Sequence, residues 1–494
     1  MAIQHNEYSG MKVLVMGLGL NGGGLPSALY LAGKGAELCI TDLRDEKTLA
    51  PSLEILEADL SGGASRIRYV LGRHEIADFE KADMVVKNPG VRPDSPYLKA
   101  ARRIETDISL FLTASPGRLT AVTGSKGKSS ISSALYHVLN NWHLSSQSDP
   151  GKEKAKAFLG GNITLSPLSF LDKLKEGDDV VLELSSWQLG DLKGRVKGKN
   201  REALLKPRTA VIGAIMPDHL DRYPSMDAYV DDKRIICQGQ DESDATIAGN
   251  DSWGQSFCSQ SRGRALVYSD APLPSGLIGG WMDEDSGCGL VRLWDGIKQG
   301  KTNEIVEAVP RELLIPGRHQ KKNLLAAALA LLDLGLPHDF IRESFKKFGG
   351  IEHRLEFFHE ARGIRFYNDS AATIPEAAAA AITAFDNPPV LVCGGTDKNL
   401  DFSPLVKSAT CAKAIILLAG SGSDKLMPLL NAAGNAYFGP WDSLDKALII
   451  ALEQADPNDA VVLSPGCTSF GMFINEFDRG NKWKETVLRL VPQF

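Results

Sequence analysis

Three times along this chain, short β-branched apolar runs alternate with longer helical patterns, and few folds accept that alternation. Parallel sheets with crossover helices do, because a helix-length segment is needed to carry the chain back to the starting edge of the sheet. The first group is KVLVM from Lys12, ELCITD ending at Asp42 and DMVVK from Asp83. LTAVT from Leu119, DVVLE from Asp179 and TAVIGAI from Thr209 form the second. The third is IRFYN from Ile364, PVLVCGG from Pro389, AKAIILLAG from Ala412 and AVVL from Ala460. At 494 residues the chain is too long for one ordinary core. The expected organisation is therefore three α/β domains over 1–116, 117–350 and 351–494. Two stretches interrupt the pattern. Asn141–Ala157 is polar and reads as an exposed loop, whereas Trp253–Ala308 is Gly-rich and reads as a small antiparallel element flanking the central sheet.

Several function classes are excluded early. A formal charge of −6 gives no global basic footprint, so nucleic acid is not an expected partner. The 7 cysteines are scattered, odd in number and without close metal-ligand spacing, as expected of reduced thiols in a cytosol. The segment MAIQHNEYSGMKV lacks the pattern of a secretory signal. No stretch reaches the roughly 18–20 apolar residues of a membrane helix, so a cytoplasmic protein without a span is expected.

The strongest chemical signal is Thr123-Gly124-Ser125-Lys126-Gly127-Lys128-Ser129-Ser130, between an apolar run and the helical ISSALYHVL. Such a loop turns backbone N–H groups and a helix N-terminus toward a phosphate, with a lysine and a hydroxyl at hand for charge and magnesium. It is a shortened variant, since the strict pattern would need glycine where Val122 stands. Glu183, in LELSSWQ, ends a buried-looking strand, where a carboxylate needs a cation or hydrogen-bond donors. Pro217-Asp218-His219-Leu220-Asp221-Arg222 gathers an imidazole, two carboxylates and a guanidinium after another apolar run, and Lys233 follows within DAYVDDKRIIC. Alone, the latter two are more commonly a solvated turn and a surface lysine.

Taken in order, TGSKGKSS, Gly161-Asn162, ELSSWQ, PDHLDRY, the downstream lysine, GRHQKKN, EHRLE and YNDSAAT resemble the Mur ligases over almost the whole chain. LSPGCTSFGMF extends the likeness to the family's D-glutamate-adding members. The resemblance implies a Rossmann-like N-terminal domain binding UDP, a central P-loop ATPase-like sheet, and a Rossmann-like C-terminal domain admitting the amino acid. It further implies ATP-dependent ligation of D-glutamate to UDP-N-acetylmuramoyl-L-alanine through an acyl phosphate, by a monomer that closes over the reacting groups to exclude water. The alternatives are a ligase of the same superfamily that adds another amino acid, such as L-glutamate, and folylpolyglutamate synthase, which shares the phosphate loop.

Carried over by residue, the resemblance places Gly124, Ser125, Lys126, Gly127, Lys128, Ser129 and Ser130 on the ATP phosphates. Asn323 falls on adenine, and Arg354 and Asp369 fall on the nucleotide. Ser129, Glu183, His219 and Lys233 are implied to serve Mg2+, with Lys233 carbamylated. Lys128, His219 and Lys233 are the implied catalytic set. Thr373, Lys398 and Ser469 are implied to hold the amino acid. The chain departs from the family at Ala371, where lysine is common, and at Glu476, where phenylalanine is frequent; Phe477 could take that aromatic role.

A second Gly-rich turn, Gly17 to Gly22, reads GLGLNG and imitates a dinucleotide fingerprint, with Asp42 placed to meet a ribose. By itself it fits an NAD-dependent oxidoreductase as well as a UDP site. The phosphate loop at 123–130 has no use in a dehydrogenase. The resemblance implies that Gly19, Leu20, Asn21, Asp42, Arg44, Asn88, Gly90 and Asn162 hold the UDP-linked substrate.

Overall fold

Val13 to Met16 are buried in succession, as are Met84 to Lys87 and Thr209 to Ile212. Continuous burial of this kind means that both faces of a strand are covered, the condition of a parallel sheet between helices. The computed structural model describes residues 8–20, 22–60, 67–145, 154–162, 165–295 and 301–492. Among these, the three expected groups of strands form three separate sheets.

The first sheet contains β1 (Lys12–Met16), β2 (Glu37–Asp42), β3 (Ile67–Leu71), β4 (Met84–Lys87) and β5 (Ile104–Glu105), in the order β3-β2-β1-β4-β5 and parallel throughout. The order reverses at β1. The carboxyl ends of β1 and β4 therefore flank the crevice in which such sheets hold ligands.

The central sheet is built from β6 (Arg118–Thr123), β7 (Ala157–Gly161), β8 (Asp179–Glu183), then, after a small hairpin of β9 (Val196–Lys197) and β10 (Glu202–Ala203), from β11 (Thr209–Ile212) and β12 (Ala245–Gly249). It continues through β13 (Arg264–Ser269), β14 (Gly279–Met282), β15 (Gly289–Arg292) and β16 (Ile305–Val309). Its order is β16-β15-β14-β13-β12-β11-β6-β8-β7, so 9 strands share one sheet. The 253–308 stretch is thus no flanking element. Its β13 and β14 add in parallel, and only at β15 does the direction reverse.

The expected loop at 141–157 is also corrected. The helix Lys128–Ser145 runs on through Asn141, and Ala157 already belongs to β7. Polar composition hid two anchors: the Trp142 ring meets the Phe340 ring edge-on at 5.0 Å, and His143 Nε2 lies 2.8 Å from the Asp179 carboxylate. Residues 146–153 fall outside the described residues.

The third sheet runs β17-β18-β22-β19-β20-β21, formed by β17 (Glu356–Ala361), β18 (Ile364–Asn368), β19 (Val390–Gly394), β20 (Ala414–Leu418), β21 (Phe438–Trp441) and β22 (Ala460–Leu463). Apolar clusters cover both faces, one centred on Phe366, Val392 and Trp483, the other on Leu391, Phe402 and Leu417. Contacts divide the chain into two compact units, residues 1–308 with 323–341, and residues 309–322 with 342–494. The first two sheets lie in the former and the third in the latter. No helix among the described residues is long and apolar enough to cross a membrane.

Candidate active site

In the first unit the chemistry gathers at the carboxyl ends of β6, β7, β8 and β11, which are neighbours in the central sheet. β6 ends at Thr123, whose hydroxyl donates to Leu184 O at 2.8 Å and pins the start of the phosphate loop to the end of β8. Gly124 (φ +149°) and Gly127 (φ +86°) supply the backbone conformations that side chains resist. A Cβ at Gly127 would stand 2.5 Å from the Asn323 Oδ1 atom, so this glycine also admits the asparagine assigned to adenine. Ser125 is buried and accepts from the Tyr229 hydroxyl at 2.9 Å, while Lys126 is exposed. The helix opens at Lys128, which puts Ser129 and Ser130 in its first turn, where unpaired N–H groups favour an anion.

Two lysines converge on this loop. Lys128 Nζ donates to Gly124 O at 2.9 Å and to Ser125 O at 3.1 Å, and Lys233 Nζ donates to the same Gly124 O at 3.0 Å. Lys233 is 1% exposed, on the helix Met226–Gln238, and far from the surface lysine its surroundings in sequence suggest. Burial first, and the like charge of Lys128 second, pull its ammonium down to about 7. A large fraction of Lys233 is therefore neutral amine near neutral pH, a nucleophilic form that an ordinary lysine rarely adopts.

Glu183 is 1% exposed at the end of β8. Its Oε1 accepts from Asn162 Nδ2 at 3.0 Å and its Oε2 from Ser132 Oγ at 3.4 Å. Gly161 (φ +103°) makes this possible, since a Cβ there would lie 2.1 Å from Glu183 O. The Gly-Asn element thus seats itself directly on the glutamate. Across the loop, His219 adopts φ +53° and sets its ring 5.2 Å from that of Trp187, whose other neighbour is the Arg222 guanidinium at 4.0 Å. Lys128, Asn162, Ser185, Trp187, His219, Tyr229 and Lys233 line a cavity of about 380 Å³ together with Pro89 and Gly90 from the first sheet.

Among the described residues no three His, Cys, Asp or Glu side chains converge as a resident metal cage. Magnesium commonly uses one or two carboxylates plus substrate phosphates. Glu183, buried and answered by neutral donors, has the chemistry such an ion needs.

At the crevice of the first sheet, Asp42 accepts from Gly19 N–H at 3.0 Å and from Arg44 N–H at 2.9 Å. Asn88 Nδ2 reaches Gly17 O at 3.4 Å, and Gly90 N–H donates to Asn88 Oδ1 at 3.1 Å. The two loops assigned to the UDP-linked substrate therefore touch. Leu20 is 44% exposed beside them, and Asn21 lies outside the described residues.

The second unit presents a parallel arrangement of its own. Asp369 follows β18, accepting from Leu355 N–H at 3.0 Å and from Ser464 Oγ at 2.6 Å, and burial raises its carboxyl to about 6. His353 (φ +62°) and Leu355 (φ +44°) hold Arg354 between two left-handed residues. Such strain persists only where surrounding bonds enforce it, here from Asp369 and Glu356. Arg479 ties the neighbouring loops together, donating to Ser370 Oγ, Ser370 O and Cys467 O at 2.9, 2.8 and 3.1 Å. Ser469 is buried, Thr373 is half-buried, and Lys398 is exposed with its ammonium 5.6 Å from the Phe470 ring. Ala371 N–H donates to His353 O, Glu476 O accepts from Ser370 Oγ, and the Phe477 ring packs edge-on against His353 at 5.4 Å.

Sequence reasoning missed Tyr229, Trp187 and Ser132. Tyr229 stands one helical turn before Lys233, with the lysine ammonium 4.5 Å from its ring, so the four-residue spacing carried the signal.

A phosphate loop, a buried lysine and a buried strand-end glutamate on a parallel central sheet, joined to two further α/β sheets, define the three-sheet ligase class of nucleotide-loop proteins. Family models agree along the chain: the Mur ligase MurD-like N-terminal domain matches residues 11–109, the Mur ligase middle domain 122–331, and the Mur ligase glutamate ligase domain 353–467. The chain belongs to the Mur ligase family. It is 38% identical to the UDP-N-acetylmuramoylalanine–D-glutamate ligase of Treponema pallidum (strain Nichols), with 97% of each chain covered. It is 39% identical to the protein of the same name from Borreliella afzelii (strain PKo), with 98% of each covered. In fold it is similar to the crystal structure of a UDP-N-acetylmuramate-alanine ligase from Thermotoga maritima, with a TM-score of 0.52 at 18% identity, covering 97% of this chain and 100% of that one.

Proposed function

We propose that this protein joins D-glutamate to UDP-N-acetylmuramoyl-L-alanine, using ATP, in the cytoplasmic synthesis of peptidoglycan precursors. The observation that carries the chemistry is the convergence of Lys128 and Lys233 on Gly124 O beside buried Glu183. The near full-length likeness to D-glutamate ligases supports the choice of substrates. The three domains 1–116, 117–350 and 351–494 are assigned to UDP, ATP and the amino acid.

A carboxylate is a poor acyl donor, so a terminal carboxylate oxygen of the muramoyl substrate must first attack the γ-phosphorus of ATP, breaking its bond to the β-phosphate oxygen so that ADP leaves. Phosphoryl transfer is catalysed mainly by position and by positive charge where negative charge develops. Lys128 supplies that charge, and the first-turn N–H groups of Ser129 and Ser130 hold phosphate oxygens. Bound magnesium would add Lewis-acid stabilisation, with Ser129 and Glu183 holding one ion and His219 and Lys233 a second. Asn323, Arg354 and Asp369 are assigned to the nucleotide. Lys233 is read as carbamylated: its neutral amine forms an N–C bond to carbon dioxide and releases a proton, which gives the buried side chain an anionic oxygen ligand. The amine of D-glutamate, held through Thr373, Lys398 and Ser469, then attacks the acyl phosphate and phosphate leaves. Asp42, Arg44 and the 88–90 turn hold the uridine end, and the protein works as a monomer.

Phosphate release with UDP-N-acetylmuramoyl-L-alanine and single amino acids tests this directly. D-Glutamate should stimulate release above every other amino acid. A preference of tenfold or more for L-glutamate, about 1.4 kcal/mol in transition-state terms, would remove the D-glutamate assignment and leave the ligase chemistry standing.

A further inference from the structure

Lys87 closes an apolar strand, yet its side chain is 3% exposed and its ammonium lies 2.6 Å from Asp191 Oδ2, itself on a side chain 7% exposed. The same ammonium donates to Val91 O at 3.2 Å. It thereby ties the two ends of the 88–91 turn together while fastening that turn to Asp191. Asp191 caps the helix Ser186–Gly190, one turn after Trp187. The helix and the turn line the same candidate cavity, the one through Ser185, Ser186 and Trp187 and the other through Pro89 and Gly90. Behind it, Arg195 donates to Asp191 O at 2.7 Å, to Glu105 Oε2 at 2.6 Å and to Ile104 O at 2.7 Å, so the fastening is doubled.

A buried ion pair is a poor device for stability alone, because an apolar pair of similar volume often serves as well; what it can contribute is a fixed geometry. We propose that Lys87 and Asp191 are positioning residues that set the spacing between the 88–91 turn and the Ser185–Trp187 wall. A substrate held by the turn then presents its carboxylate to Lys128 at the phosphate loop. The inference rests on the function proposed above, in which the turn binds the UDP-linked substrate.

The test uses the full chain and three variants. Lys87→Met with Asp191→Leu removes both charges without leaving either buried alone, and Asp191→Glu keeps both charges while lengthening the link by one methylene. For the double variant we expect a native-like thermal transition, a KM for ATP within twofold of wild type and a KM for UDP-N-acetylmuramoyl-L-alanine raised at least tenfold. Lys87→Arg should recover most of that loss relative to the double variant. A double variant with wild-type KM for the muramoyl substrate, or with both KM values raised in parallel, overturns the positioning role. Should the double variant fail to fold, Asp191→Glu decides: an unchanged muramoyl KM overturns the proposal and a selective rise supports it. Calorimetry of the wild type with UDP-N-acetylmuramoyl-L-alanine separates the two levels, because absence of binding there refutes the functional reading itself.

Discussion

Replacing Lys128 by methionine should abolish most turnover and leave the fold almost untouched. Gly124 O accepts from both Lys128 and Lys233, so loss of the Lys128 ammonium does not orphan that carbonyl. The loss includes two hydrogen bonds from a half-buried side chain, each contributing about 0.5–1.5 kcal/mol net, part of which the packed methionine offsets. Thermal unfolding should therefore shift by only a few degrees. The catalytic loss should be far larger: removing one donor aimed at developing charge commonly costs about 10²–10³ in kcat, roughly 2.7–4 kcal/mol. The assay is substrate-dependent phosphate release alongside a thermal melt. Loss of a like charge also lets the Lys233 ammonium rise from about 7, so nucleotide binding should be followed separately by calorimetry. Turnover within tenfold of wild type, or a collapse of thermal stability, would each show that Lys128 does not have the role its geometry assigns.

Three further outcomes are expected. Asp369 is raised to about 6 from an ordinary 3.8, so its folded-state advantage is complete below pH 3.8 and lost as pH climbs through 6; Asp369→Asn should escape that loss and equal or exceed wild-type stability at pH 7.5, by up to about 3 kcal/mol, with the difference vanishing near pH 4 in denaturant titrations. Gly161→Ala places a Cβ 2.1 Å from Glu183 O at φ +103°, and the combined clash and strain should cost roughly 2–5 kcal/mol and part Asn162 from Glu183, measurable as a lowered melting temperature with impaired turnover. Lys233→Ala should be nearly inactive and partly restored by short-chain carboxylic acids, which supply the missing oxygen ligand; a variant that ligates at the wild-type rate without them contradicts a carbamylated lysine.

Much of the frame was legible because burial on both faces writes continuous apolar runs, and β1, β2, β4, β6, β8, β11, β19, β20 and β22 all carry one, while β18 is interrupted by exposed Arg365. Gly-rich loops after those runs marked the ends where ligands sit. Asn141–Ser145 was misread because its helix is anchored by a ring contact and a His–Asp pair, which polar composition conceals. β13 to β16 were misread because glycine weakens the apolar signal, as in Gly279-Gly280 of β14, where a Cβ would meet Val267 O or Leu290 O. Within the site, residue types were readable from motifs but their pairings were not. Nothing in the sequence tells that Asn162 sits on Glu183, or that Lys87 crosses to Asp191, since those bonds join segments 21 and 104 residues apart.

Trp187 carries a consequence for observation. Its indole lines the cavity, with a guanidinium 4.0 Å and an imidazole ring 5.2 Å from it. An indole excited state is sensitive to nearby cations and to changes in local field, so the emission of this residue is an optical reading of the site that needs no label. With 7 tryptophans in the chain, the spectrum of a Trp187→Phe variant subtracted from that of wild type separates the emission of Trp187 from that of the others.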